Sequence, residues 1–125
     1  MEKERQIIFH KYYFQDFYIQ QPLKVKEKIG YVLKMIKTVD RVPEKFLKHL
    51  ESTDGLYEIR VEVSSNIYRI FCCFDKGNII VLFNGFQKKG QKTPKQELVF
   101  ALQLKKEYFN LKNVNNEKEN RHKKN

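Results

Sequence analysis

The chain predicts an α+β domain in which one strand and a set of helices precede three antiparallel strands and a last helix. Three observations carry this. Apolar residues between 25 and 36 recur with a helical period. Residues 56–63 alternate with the period of a strand. Short polar or glycine-containing turns separate the apolar runs that follow residue 55.

The elements follow in order. Gln6 to Lys11 is a short apolar strand, and Phe14 to Gln20 fits one short helix. Pro22 opens a longer helix, since its fixed φ suits the first helical turn. Within that helix Val25, Ile29, Val32, Leu33 and Ile36 form an apolar stripe. The lysines at 24, 26, 28, 34 and 37 read as its solvated face. Pro43 follows the helix, and Glu44 to Leu50 reads as one or two further helical turns. Ser52 to Gly55 is a turn.

Leu56 to Val63 sets Tyr57, Ile59, Val61 and Val63 on one face and Glu58, Arg60 and Glu62 on the other. Ser64 to Asn66 turns the chain. Asn66 to Phe74 is apolar on both faces except at Arg69, the mark of a central strand. Asp75 to Asn78 makes the next hairpin turn, and Ile79 to Phe86 completes a meander. A helical pattern then runs from Pro94 to Phe109.

With 125 residues the chain suits a single domain, expected over 1–110. Residues 111–125 carry five basic and two acidic side chains, are rich in Asn and Lys, and read as a disordered basic tail. A composition of 41% hydrophobic and 14% aromatic residues allows a real core. The net charge of +10 points to a polyanionic partner. No apolar run reaches the roughly 18 residues of a spanning helix. The charged N-terminus lacks an apolar signal core, so a cytoplasmic protein is expected, with no membrane partner. Cys72 and Cys73 are neighbours on a strand and point to opposite faces, so they read as apolar packing residues. His10, His49 and His122 are scattered, and neither a metal site nor a cofactor is expected.

The junction Gly85-Phe-Gln-Lys-Lys-Gly-Gln-Lys-Thr-Pro94 holds three lysines and no acid, which suits phosphate binding at a sheet end. Arg69 interrupts the most apolar strand and needs an ion pair, with Glu58 or Glu62, or an anionic ligand. In a tight meander Arg60 and Arg69 can face one concavity, with Lys88, Lys89 and Lys92 arriving from the end of the third strand. Such a groove can act on RNA without metal. A base takes the 2′-hydroxyl proton and cations steady the pentavalent phosphate. Phe86 and Tyr13 are candidates for stacking with bases, and Tyr57 for an acid.

Gly55-Leu-Tyr-Glu-Ile-Arg60, Tyr68-Arg-Ile-Phe71 and Phe83-Asn-Gly-Phe-Gln-Lys-Lys-Gly-Gln-Lys-Thr-Pro94 resemble the RelE/ParE toxin superfamily. Within it they resemble the HigB-like, phage-derived Gp49-like branch, over about residues 40–110. The resemblance implies a RelE-like fold, with helices against a small, mostly antiparallel sheet. It implies a metal-independent, ribosome-dependent endoribonuclease that cuts mRNA and arrests translation. A cognate antitoxin with a helix-turn-helix is also implied, besides ribosome and mRNA as partners. It implies Arg60, Arg69, Lys88, Lys89 and Lys92 as catalytic residues; Glu58, Phe86 and Gln91 are expected to contact RNA. Glu58 stands where some members carry Lys, and no His matches the acid–base His of some relatives. Two alternatives come from other classes: a ParE-type inhibitor of DNA gyrase, and an inactive RNA-binding domain.

Overall fold

The computed structural model describes residues 4–123, with side chains to residue 118. Eight elements follow one another: β1 (Gln6–Phe9), α1 (Tyr13–Ile19), α2 (Leu23–Thr38), β2 (Leu47–His49), β3 (Leu56–Val63), β4 (Asn66–Asp75), β5 (Ile79–Lys88) and α3 (Lys95–Lys123). The five strands form one sheet in the order β1-β5-β4-β3-β2. β1 runs parallel to β5, and the other pairs are antiparallel. The sheet is therefore mixed, and the α+β expectation holds.

Helices cover both faces. The stripe of α2, Val25, Ile29, Val32 and Ile36, packs with Ile59, Val61, Ile70, Cys72, Ile80 and Leu82. On the opposite face Leu56, Phe71, Cys73, Val81 and Phe83 meet Ala101 and Leu104 of α3. β4 lies between, and this is why its sequence is apolar on both sides. Cys72 and Cys73 fall into the two different cores, as strand alternation requires. Burial raises the Cys72 thiol pKa well above its ordinary value and, chiefly by the same cause, pushes Cys73 up to about 12. Neither is a ready nucleophile.

Three expectations change. Residues 44–50 were expected to be helical. Instead a single turn, with the amides of Phe46 and Leu47 donating to the Pro43 carbonyl, leads into β2. Leu47, Lys48 and His49 then pair with Ile59, Glu58 and Tyr57. A three-residue strand has too few positions to display a period, so pairing with β3 decides its form. β5 continues beyond Phe86 to Lys88, so four of the ten residues of the lysine-rich junction belong to the sheet. Lastly, α3 passes the boundary expected at residue 110 and runs to Lys123. Buried Asp75, at the end of β4, accepts hydrogen bonds from Tyr108 Oη at 2.7 Å and Lys112 Nζ at 2.7 and 2.8 Å. This contact holds the helix to the sheet beyond 110. The side chains of 113–118 are exposed, in keeping with their polar composition. The expected tail residues 124 and 125 lie outside the described residues.

A second fastening joins the chain after β1 to α3. His10 Nε2 and Lys11 Nζ each lie 2.7 Å from Glu107 Oε1. The buried His10 ring stands edge-on to Phe83 and Tyr108. Among the described residues no helix is long and apolar enough to cross a membrane.

Of the five glycines, Gly85 alone has no room for a side chain. α1 lies against β5 there, and a Cβ on Gly85 would come 2.5 Å from Cδ2 of Phe17. The β4–β5 register also slips here, between Ile70 and Cys72. Gly85→Ala is expected to lower stability by about 1–3 kcal/mol through overpacking. Urea denaturation of Gly85→Ala with and without Phe17→Leu checks this, since the smaller partner should recover part of the loss.

Asp75 supplies a pH dependence. Burial alone would raise its pKa, but hydrogen bonds from Lys112 and Tyr108 outweigh burial and hold it below the usual carboxylate value. A depressed folded pKa gives stability that is present above the unfolded value, about 3.9, and is lost as pH falls through the folded value. Thermal melts from pH 6 to pH 2 should show a smaller acid-induced loss for Asp75→Asn than for the parent.

Candidate active site

The site begins with strand register. Arg60 of β3 is the direct partner of Arg69 of β4, so two guanidinium-bearing residues stand opposite one another on the same face. Like charges set directly across a sheet repel. Glu58, two residues before Arg60 and therefore on the same face, answers both. Its Oε1 accepts from Arg60 Nε at 2.9 Å and lies 3.7 Å from Arg69 Nε. The second contact is an ion pair beyond hydrogen-bonding distance. Glu58 is buried, and so is Arg69, at 8% exposure. Arg60 remains partly open.

Arg69 is only partly satisfied. Its Nη1 donates to the Tyr68 carbonyl at 3.1 Å, while its buried Nε and the Glu58 Oε2 have no hydrogen-bond partner among the described residues. Burial is the largest influence on its pKa and lowers it; Arg60 adds to that, and Glu58 opposes it. The guanidinium still carries its charge near neutral pH. A buried cation with an unused donor is a site prepared for an anion.

Both arginines line a pocket of about 260 Å³ with Lys28, Lys45, Phe46, Val61 and Glu62. The pocket opens at the edge of β3. β2 covers that edge only as far as Ile59, and the Arg60 amide then donates to the Phe46 carbonyl. Four cations and one exposed carboxylate converge here. Such a set can hold a phosphodiester and, through Glu62, accept a proton. Among the described residues no group of His, Cys, Asp and Glu has a metal-binding arrangement.

The residues singled out from sequence separate into three groups. Arg60 and Arg69 come together as expected, with Glu58 buried between them and oriented toward Arg60. Lys88 pairs with Ile67 and shares the face of Arg69, since Phe86, two residues back, is the direct partner of Arg69. Lys89, Gln91 and Lys92 lie in the exposed loop after β5, and neither they nor Lys88 line the pocket. Phe86 is not an exposed platform. It packs into the α3-side core, with ring centroids 5.4 Å from Phe71. Tyr57 belongs to the opposite face, edge-on to Phe74 and His49, and cannot serve as an acid beside Arg60. Tyr13 packs edge-on against Phe100 of α3.

Sequence reasoning missed Lys28, Lys45, Phe46 and Glu62 as pocket residues. Lys28 was counted on a solvated helix face, Glu62 only as a possible ion-pair partner of Arg69. Phe46 and Lys45 precede a strand that had no readable period. A signal did exist in α2, where Lys24, Lys28 and Tyr31 recur at i, i+4 and i+7 and so share one side of the helix.

A family model described as phage derived protein Gp49-like (DUF891) matches residues 16–106. The match takes in Arg60, Arg69 and all the strands but β1. No curated protein matches the chain.

Removing the shared carboxylate should expose the repulsion it offsets. Glu58→Ala is expected to cost about 3–5 kcal/mol, the usual effect of leaving a buried charge without its partner. Urea denaturation measures it. A double variant with Arg69→Met should recover most of the loss if the uncompensated Arg69 charge is its cause.

Proposed function

We propose, from the premise that this chain belongs to the phage-derived Gp49-like family of RelE-like toxins, that it is the toxin of a type II toxin–antitoxin pair and cuts mRNA on the translating ribosome. The observation that carries the reading is the directly opposed pair Arg60 and Arg69, braced by buried Glu58 and opening into a cationic pocket. The HigB-like branch is the best fit to the quoted motifs. The partners that follow are an antitoxin with a helix-turn-helix, the ribosome and mRNA.

The chemistry is transesterification within the RNA. The 2′-hydroxyl of one nucleotide attacks its own 3′ phosphate. A base removes the hydroxyl proton, the bond to the 5′ oxygen breaks, and that oxygen takes up a proton. The products are a 2′,3′-cyclic phosphate and a 5′-hydroxyl. Arg69, which lines the pocket, binds through its guanidinium the phosphate oxygen on which charge grows. Arg60 holds a second oxygen, with Glu58 fixing its angle. Glu62 suits the role of base, because a carboxylate is already ionised at neutral pH whereas a lysine must first lose its proton. Lys88, Lys89 and Lys92 then act from outside the pocket, drawing the RNA strand toward the arginines by charge.

Induction of the wild-type chain and of Arg69→Ala in a bacterial host, with mRNA ends mapped, tests the reading. Arrest with new cuts in translated messages is expected for the wild type. A drop of at least about 100-fold in cutting is expected for the variant, the usual cost of losing a transition-state donor. Glu58 keeps its bond to Arg60 in that variant, so a folded protein is expected, and a thermal melt confirms it. Arrest with DNA damage and intact messages would instead indicate gyrase inhibition. No effect from a folded wild type would indicate a plain RNA-binding domain.

A further inference from the structure

The arginine pocket does not end at the arginines. A second, more open hollow of about 460 Å³ continues from it, sharing Lys28 and Glu62 and adding Lys24, Glu27, Tyr31, Val63 and Ser64. The two form one groove from Arg69, over the uncovered edge of β3, and along α2. Two aromatic rings stand in it among lysines. Lys45 Nζ lies 5.5 Å from the centre of the half-buried Phe46 ring, and Lys28 Nζ lies 5.3 Å from that of Tyr31. Tyr31 is 60% exposed. Neither Lys28 nor Lys45 is in an ion pair among the described residues.

Resting on the nuclease reading above, we infer that this groove is the RNA track, with bases stacked on Phe46 and Tyr31 and phosphates held by Lys45, Lys28 and Lys24. Two features support a single strand of RNA over an acidic peptide. Flat aromatic faces interleaved with cations match the alternation of bases and phosphates along a strand. The groove is continuous with the pocket that Arg60 and Arg69 line, where a phosphate meets two guanidinium groups. Lys24, Lys28 and Tyr31 belong to successive turns on one side of α2, so the spacing of the track is set by a rigid helix. These are positioning residues: they seat the strand and take no part in bond breaking.

The test is fluorescence anisotropy with the full chain and a labelled 12-nucleotide single-stranded RNA carrying 2′-O-methyl groups, which cannot be cut. Lys28→Ala/Lys45→Ala should weaken binding about tenfold or more and flatten the slope of log affinity against log salt by about 1.4, the contribution of two phosphates. Tyr31→Ala and Phe46→Leu should each weaken binding about fivefold or more through lost stacking. Lys106→Ala/Lys118→Ala on α3 makes the same change in net charge away from the groove and should leave affinity nearly unaltered. Equal losses for the two double variants would overturn the inference, since charge alone would then explain binding. So would undiminished binding by both aromatic variants, failure of the wild type to bind the RNA, or equally tight binding of a glutamate decamer. Growth arrest with mapped mRNA cuts separates this result from the reading beneath it. If the wild type arrests growth and cuts messages while the groove variants bind like wild type, the track is wrong and the nuclease reading stands. If the wild type neither arrests nor cuts, both fall.

Discussion

Arg60 and Arg69 face one another because β3 and β4 pair in a register that allows nothing else. Moving either strand by one residue would turn its alternating side chains to the other face and put Glu58 into the α2-side core. The ladder from Leu56↔Cys73 to Val63↔Asn66 therefore fixes both the packing and the charge constellation. Two cations held this close need an anion; buried Glu58 supplies it, with one oxygen left without a partner, and exposed Glu62 lies in the same pocket lining. With Lys28 and Lys45 the pocket keeps a net positive charge, which favours an anionic ligand. Stability is kept elsewhere, in the two apolar layers, so that this corner of the sheet can remain unsatisfied.

The helices divide the work between them. α2 and α1 seal one face, and α3 seals the other only in part. At the end of the second face Arg60 and Glu62 reach toward water beside the buried Glu58 and Arg69. Shortness of β2 matters as much as the placement of the helices. Had it continued beyond Leu47↔Ile59, its backbone would have closed the β3 edge and the pocket with it. Pro43 and the single turn after it bring Lys45 and Phe46 to that opening instead.

Legibility followed the periods. Val25, Ile29, Val32 and Ile36 announced α2, the alternation of 56–63 announced β3, and the two-sided apolarity of 66–74 announced a central strand. A charged residue inside such a strand marked Arg69 as a site residue, and alternation then placed Arg60 beside it. What stayed hidden depended on contacts between distant segments. β2 exists through pairing with β3, and α3 outlasts its apolar pattern through Lys112 and Asp75. Phe86 looked exposed because it follows a glycine in a polar stretch, yet the bulge at Gly85 leaves it under α3. The pocket wall of Lys28, Lys45 and Phe46 unites three positions from two segments, and no local pattern signals that.

The uncovered stretch of β3 that follows Arg60, whose amide still donates to the Phe46 carbonyl, carries a cost of its own. An unpaired strand edge offers a ladder to any other extended chain, its own copies included. Here that edge carries one positive and one negative side chain, Arg60 and Glu62, with Lys45 close by in the pocket lining. Charge at these positions opposes the addition of a sixth strand. Neutralising Arg60, Glu62 and Lys45 would therefore favour self-association along this edge.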